Sequence, residues 1–151
     1  MDKEQLRDLI HRVLVALDLH SEVAENLLMG TAAQESELGE YIRQLGSGTA
    51  LGIFQMEPNT FKDIVYNYLQ YKPDLAKKII YVSGINALRS EYLEYNFALS
   101  ICMCRVHYLR VSEPIPANLL GWAKYWKEYY NTRLGKGTEG EFMQNFKKLV
   151  L

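Results

Sequence analysis

The chain is poor in the features that mark several protein classes. It has two cysteines, Cys102 and Cys104, too few and too close for a disulfide framework. On a helix, residues two apart point their side chains ~200° away from each other. The pair therefore does not clasp one metal and reads as two buried free thiols. His11, His20 and His107 are scattered, there is no HExxH, and neither a metal site nor a cofactor is expected. The charge lacks a dominant sign: 17 Lys and Arg stand against 18 Asp and Glu, for a net charge of −1 and a pI ≈ 6.3. That excludes the basic footprint of a dedicated nucleic-acid binder. No apolar run approaches the ~20 residues that span a bilayer, so no membrane insertion is expected. The opening MDKEQLRDLIHRVLVAL spreads charges through its apolar residues, unlike a cleavable signal peptide, and synthesis in the cytoplasm is expected.

What is present is an ordinary globular composition. Over 151 residues, 48% are hydrophobic and 23% charged, which suits a single domain over 1–151 with one core. No linker, repeat or low-complexity tract divides it. Leu6, Leu9, Ile10, Val13, Leu14 and Leu17 recur at helical spacing across residues 3–18. Ser21 is the expected N-cap of a second helix ending near Gly39, whose small run Gly30-Thr31-Ala32-Ala33 permits close approach of another helix or a ligand. Pro58 opens a helix through about Gln70, and Pro73 starts another short one. From Ser90 to about Val111 the pattern predicts one long helix, apolar nearly all round and hence central. A helix over about 117–131 follows, and Thr138 with Glu141 forms a capping box before a last amphipathic helix. Between residues 40 and 56 the glycines of Gly46-Ser47-Gly48 suggest an irregular segment or short hairpin. The expected fold is mainly α, with that one β-like excursion.

Nucleotide motifs fail on spacing. Gly46 to Gly52 has one residue too many for GxGxxG, and Leu134-Gly135-Lys136-Gly137-Thr138 lacks the Gly-Lys-Ser/Thr of a P-loop, so both read as loop glycines. Carboxylates are more informative. Glu35, Glu37, Glu40 and Glu57 bracket the irregular segment. Glu37, Glu40 and Glu57 read as solvated surface charges. Glu35 ends a small, apolar helical face, where desolvation raises a carboxyl pKa and makes a proton donor at neutral pH; between that role and a surface charge its residues leave the choice open. Eleven tyrosines against five phenylalanines add a hint, with Tyr125, Trp126, Tyr129 and Tyr130 clustered. Such rings suit either carbohydrate stacking or the edge of a core.

The order of four elements carries a resemblance. AAQES at 32–36 precedes ALGIFQMEP at 50–58, then NFALSICMCRVHYL from 96, then YYN at 129–131. The series resembles the lysozyme-like lytic transglycosylase superfamily: Glu-Ser, then Gly-x-x-Gln, then an Asn-led helix, then Tyr-Asn. It looks closest to the compact versions encoded by tailed bacteriophages, over roughly residues 25–146. The resemblance implies a lysozyme-like helical bundle with Glu35 as the catalytic acid. It implies substrate contacts at Ser36, Phe54, Gln55, Tyr130 and Asn131. The last motif reads Tyr129-Tyr130-Asn131-Thr132-Arg133, without the alanines and glycine that flank it in the family.

The implied activity is cleavage of the β-1,4 bond between N-acetylmuramic acid and N-acetylglucosamine in peptidoglycan, leaving a 1,6-anhydro end. A single glutamic acid performs both proton transfers, and no cofactor is needed. Expected partners are peptidoglycan glycan strands and phage virion proteins, with action in the cell wall, reached as a virion component or with the help of a holin. Two other classes fit the same pattern. A goose-type hydrolytic muramidase would use a second acid such as Glu37 or Glu57, and a virion structural protein would keep the fold without turnover.

Overall fold

The computed structural model describes residues 1–131 and 135–151; Thr132, Arg133 and Leu134 of the stretches named above lie outside the described residues. Among the described residues the fold is mainly α, as the periodicity predicts. Its helices are α1 (Lys3–Ala16), α2 (Glu22–Ser36), α3 (Pro58–Asn67), α4 (Pro73–Ser83), α5 (Phe97–Leu109), α6 (Leu119–Trp126) and α7 (Glu139–Leu149). Side-chain oxygens of Asp2, Ser21, Asn96, Asn118 and Thr138 accept the first free N–H groups of five of them. Prolines open α3 and α4, where the missing N–H costs nothing. No helix is long and apolar enough to cross a membrane. At α7 the Glu141 carboxylate meets the Thr138 hydroxyl at 3.2 Å, and the Glu141 N–H donates to that hydroxyl at 3.1 Å.

Two helices form the centre. α5 packs against α1, α2, α3 and α4, while α2 packs against α1, α5, α6 and α7. The small run of α2 receives a helix: a Cβ on Gly30 would lie 2.4 Å from the Phe142 ring, so α7 can come this close only against glycine. The next residue, Thr31, is fully buried and its hydroxyl bonds the Leu27 carbonyl and the Tyr108 hydroxyl, each at 2.8 Å. Cys102 and Cys104 are buried free thiols in α5. Within the aromatic cluster Tyr125 and Trp126 belong to the core, whereas Tyr129 and Tyr130 are half-buried.

Several boundaries differ from the sequence pattern, and the largest difference has a tertiary reason. The long helix predicted from Ser90 is broken. Residues Ser90–Glu94 make a 3-10 turn and α5 starts only after Asn96. There Asn96 accepts the Leu99 N–H and donates to the Ser83 carbonyl, while the Leu93 carbonyl takes the Ser100 hydroxyl. The same carbonyl lies where a Cβ on Gly52 (φ +82°) would be, 2.2 Å away. α3 stops at Asn67 and a 3-10 turn follows at Leu69–Tyr71. α2 ends at Ser36, not near Gly39, because Glu37 and Leu38 already adopt positive φ of 52° and 60°. After α6 the chain widens into a π turn at Lys127–Asn131 instead of continuing as α-helix to 131.

The segment 40–56 folds back on itself without forming a strand among the described residues. Isolated antiparallel bridges join Arg43 to Leu51 and Leu51 to Met56. Histidines that are scattered in sequence also come together. His11 of α1 and His20 of the following connection both lie against Glu25 of α2.

Candidate active site

Glu35 sits in the last turn of α2 and lines a cleft of about 580 Å³. Across the cleft lie Gln55 from the folded-back segment, and Tyr130 and Asn131 from the π turn. Four residues that the sequence spreads over almost a hundred positions therefore line one cleft. Local structure explains how. The left-handed residues after Ser36 turn the chain sharply away from α2, so that the helix ends one residue after Glu35. The π turn shifts the register after α6, a deviation that recurs at functional sites.

The Glu35 carboxyl is unusual in what surrounds it. Among the described residues no hydrogen bond and no ion pair reaches it. Burial pushes its pKa up to about 7. Its place at the C-terminal end of a helix, the negative pole of the macrodipole, disfavours the anion in the same direction. Near neutral pH such a group is poised between acid and base.

Ser36 and Phe54, expected at the substrate, act from behind the wall. Both side chains are buried, at 0% and 1% exposure. The Ser36 hydroxyl donates to the Ile53 carbonyl at 2.6 Å and accepts the Gly39 N–H at 2.8 Å, riveting the end of α2 to the folded-back segment. Phe54 offers its backbone instead: its carbonyl takes the Tyr130 hydroxyl at 2.5 Å. The Tyr130 ring stacks on Tyr108 at 5.4 Å and meets His107 edge-on at 5.1 Å. Burial and the nearby Arg110 guanidinium depress the His107 pKa to about 4, so the ring behind Tyr130 is neutral.

Gln55 and Asn131 are held by their own amides. Gln55, at φ 47°, donates from Nε2 to the Gly52 carbonyl at 2.9 Å. The Asn131 amide oxygen accepts Lys127 Nζ at 2.7 Å, and the same ammonium donates to the carbonyls of Gly135 and Gly137. Lys127 thereby ties the π turn to Gly135 and Gly137, which line the cleft.

The cleft also holds residues that sequence reasoning missed. Gln34, Tyr41, Gln44, Lys136 and Glu141 line it; so does Glu57, read from sequence as a surface charge and, under the hydrolase alternative, as a second acid. Glu57 is exposed and accepts the Thr49 hydroxyl. Gln34 could have been suspected from its position beside Glu35; its side-chain oxygen is fixed by Asn145 Nδ2 at 2.7 Å. Lys136 and Glu141 carry no sequence signal of their own, because they reach the cleft only through the docking of α7 on α2. Burial first, then the charges of Glu37 and Glu35, raise the Tyr41 phenol. Glu37 and Glu40 do not line the cleft and are exposed. The chain matches no protein-family model, no curated protein sequence and no solved structure.

Proposed function

We propose that this chain is a peptidoglycan lytic transglycosylase of the lysozyme-like superfamily, with Glu35 as its one acid and base. The observation that carries the reading is the Glu35 carboxyl: raised to about 7 by burial, without a bonded partner among the described residues, and sharing a cleft with Gln55, Tyr130 and Asn131. A glycosidic oxygen leaves only as an alcohol, so the reaction needs a proton donor while positive charge grows at the anomeric carbon. Protonated Glu35 supplies the proton as the C1–O bond breaks. The substrate's N-acetyl oxygen closes on C1 and holds the cation. The Glu35 carboxylate then removes the proton of the 6-hydroxyl, whose oxygen attacks C1 and reopens the N-acetyl ring. Glu35 is protonated again, the product ends in a 1,6-anhydro sugar, and no water is consumed. Gln55 and Asn131 orient the sugar, and Tyr130 anchors the wall through the Phe54 carbonyl. Glycan strands are the substrate, and delivery in a virion is the route that the resemblance implies.

A second reading has one observation in its favour. Glu57 lines the same cleft, so a hydrolase with Glu57 activating water is the alternative. The products decide. Purified protein incubated with sacculi should release muropeptides with 1,6-anhydro ends, identified by mass spectrometry. Glu35→Gln should abolish them, a loss on the order of 10²–10⁴-fold, and Glu57→Gln should not. Reducing ends that depend on Glu57 would establish the hydrolase, and no products from folded protein would leave a non-catalytic virion protein.

A further inference from the structure

His11, His20 and Glu25 stand outside the Glu35 cleft and share no residue with it. They come from three places: the third turn of α1, the connection to α2, and the first turn of α2. His11 Nδ1 lies 3.1 Å and His20 Nε2 2.9 Å from the same carboxylate oxygen, Glu25 Oε2. The two rings face each other edge-on with centroids 4.5 Å apart. One potential ligand atom from each residue falls within 4.8 Å of the other two.

We propose that these three side chains form a site for a divalent transition metal, Zn²⁺ in the first instance, that ties α1 to α2. Tetrahedral zinc with bonds of about 2.0–2.1 Å spaces its ligand atoms about 3.3–3.4 Å apart. The two histidine-to-carboxylate spacings are a few tenths of an ångström short of that, within reach of a small side-chain adjustment. Two imidazoles and a carboxylate are a donor set that zinc accepts, with the fourth position left to water. Chemistry at the nitrogens is balanced. Without metal, each ring bonds Glu25 Oε2 through an N–H; on binding, that proton moves to the ring's other nitrogen and the lone pair goes to the metal. Glu25 is the half-buried anchor, its side chain 12% exposed, whereas His11 is 50% and His20 30% exposed and free to adjust. Arg7 Nη1 holds the other carboxylate oxygen at 3.2 Å, which fixes its plane as partners of metal ligands commonly do. The cleft of about 530 Å³ that opens onto Glu25 and His11 provides an entry path, and its rim carries Glu4 and Asp8 with Lys3 and Arg7.

The test is a calorimetric titration of Zn²⁺ into the full chain, freed of any affinity tag. One equivalent should bind and raise the thermal midpoint. Co²⁺ in its place should give the visible bands of tetrahedral coordination, and Zn²⁺ should shift the ring-proton resonances of His11 and His20 in the parent protein. The double substitution His11→Asn, His20→Asn, both at exposed rings, should weaken binding at least about tenfold and remove the midpoint rise. Absence of saturable binding, unshifted His11 and His20 resonances, or unchanged affinity in a folded double variant would each overturn the site.

Discussion

The raised pKa of Glu35 is a statement about stability as well as chemistry, and replacing Glu35 with glutamine tests it without any substrate. Folding lifts the carboxyl from its ordinary 4.5 to about 7. The folded state therefore holds a proton that the unfolded chain releases between those two values. Stability contributed by this group falls as pH rises through that window and then levels off. Above pH 7 the full shift corresponds to a penalty of about 3 kcal/mol at 1.36 kcal/mol per unit. At pH 5, only just above the unfolded value, it is about 1 kcal/mol. Glutamine has the same shape and no titration, so the parent's penalty is absent in Glu35→Gln at every pH. The difference in unfolding free energy between variant and parent should thus move by about 2–3 kcal/mol in the variant's favour from pH 5 to pH 8. For a domain of this size that is roughly 5–10 °C in thermal midpoint. Urea unfolding of both proteins at the two pH values measures it, and titrating groups common to both cancel. A difference that stays constant from pH 5 to pH 8 would refute the burial argument and with it the case for Glu35 as an acid near neutrality.

Two further substitutions probe how the site is held. Gly30→Ala puts a methyl 2.4 Å from the Phe142 ring; overpacking of about 1–3 kcal/mol should exceed the roughly 1 kcal/mol gained in helix propensity. The urea midpoint should fall, and a rise would mean that α7 withdraws from α2 freely. Ser36→Ala strands the part-buried Gly39 N–H and the buried Ile53 carbonyl, for a loss of about 1–3 kcal/mol. Amide exchange at Gly39 should speed up, and unchanged exchange would show that the rivet is not needed.

Much of this architecture is local information. The apolar stripes of α1 and α7, the caps at Ser21 and Thr138 and the prolines opening α3 and α4 are set by neighbours three or four residues apart, and they are legible in the sequence. So is the candidacy of Glu35, at the end of an apolar helical face, and the family-like order of Glu35, Gln55, Tyr130 and Asn131 names the residues that meet in one cleft. Tertiary structure decided the rest. The break at Asn96 depends on Ser83 and Gly52, far away in sequence, and no periodicity around Ser90 encodes them. Ser36 turns inward because its hydroxyl bonds the folded-back segment, and the Phe54 ring because it is taken into the apolar core, demands that their position beside the motif residues does not reveal. His11, His20 and Glu25 meet only because α1 and α2 pack at one angle, Lys136 and Glu141 enter the cleft only because α7 docks on Gly30, and Glu57 enters it only because the segment before α3 folds back. Side-chain chemistry and short-range spacing are written along the chain, whereas convergence of distant side chains is a property of packing.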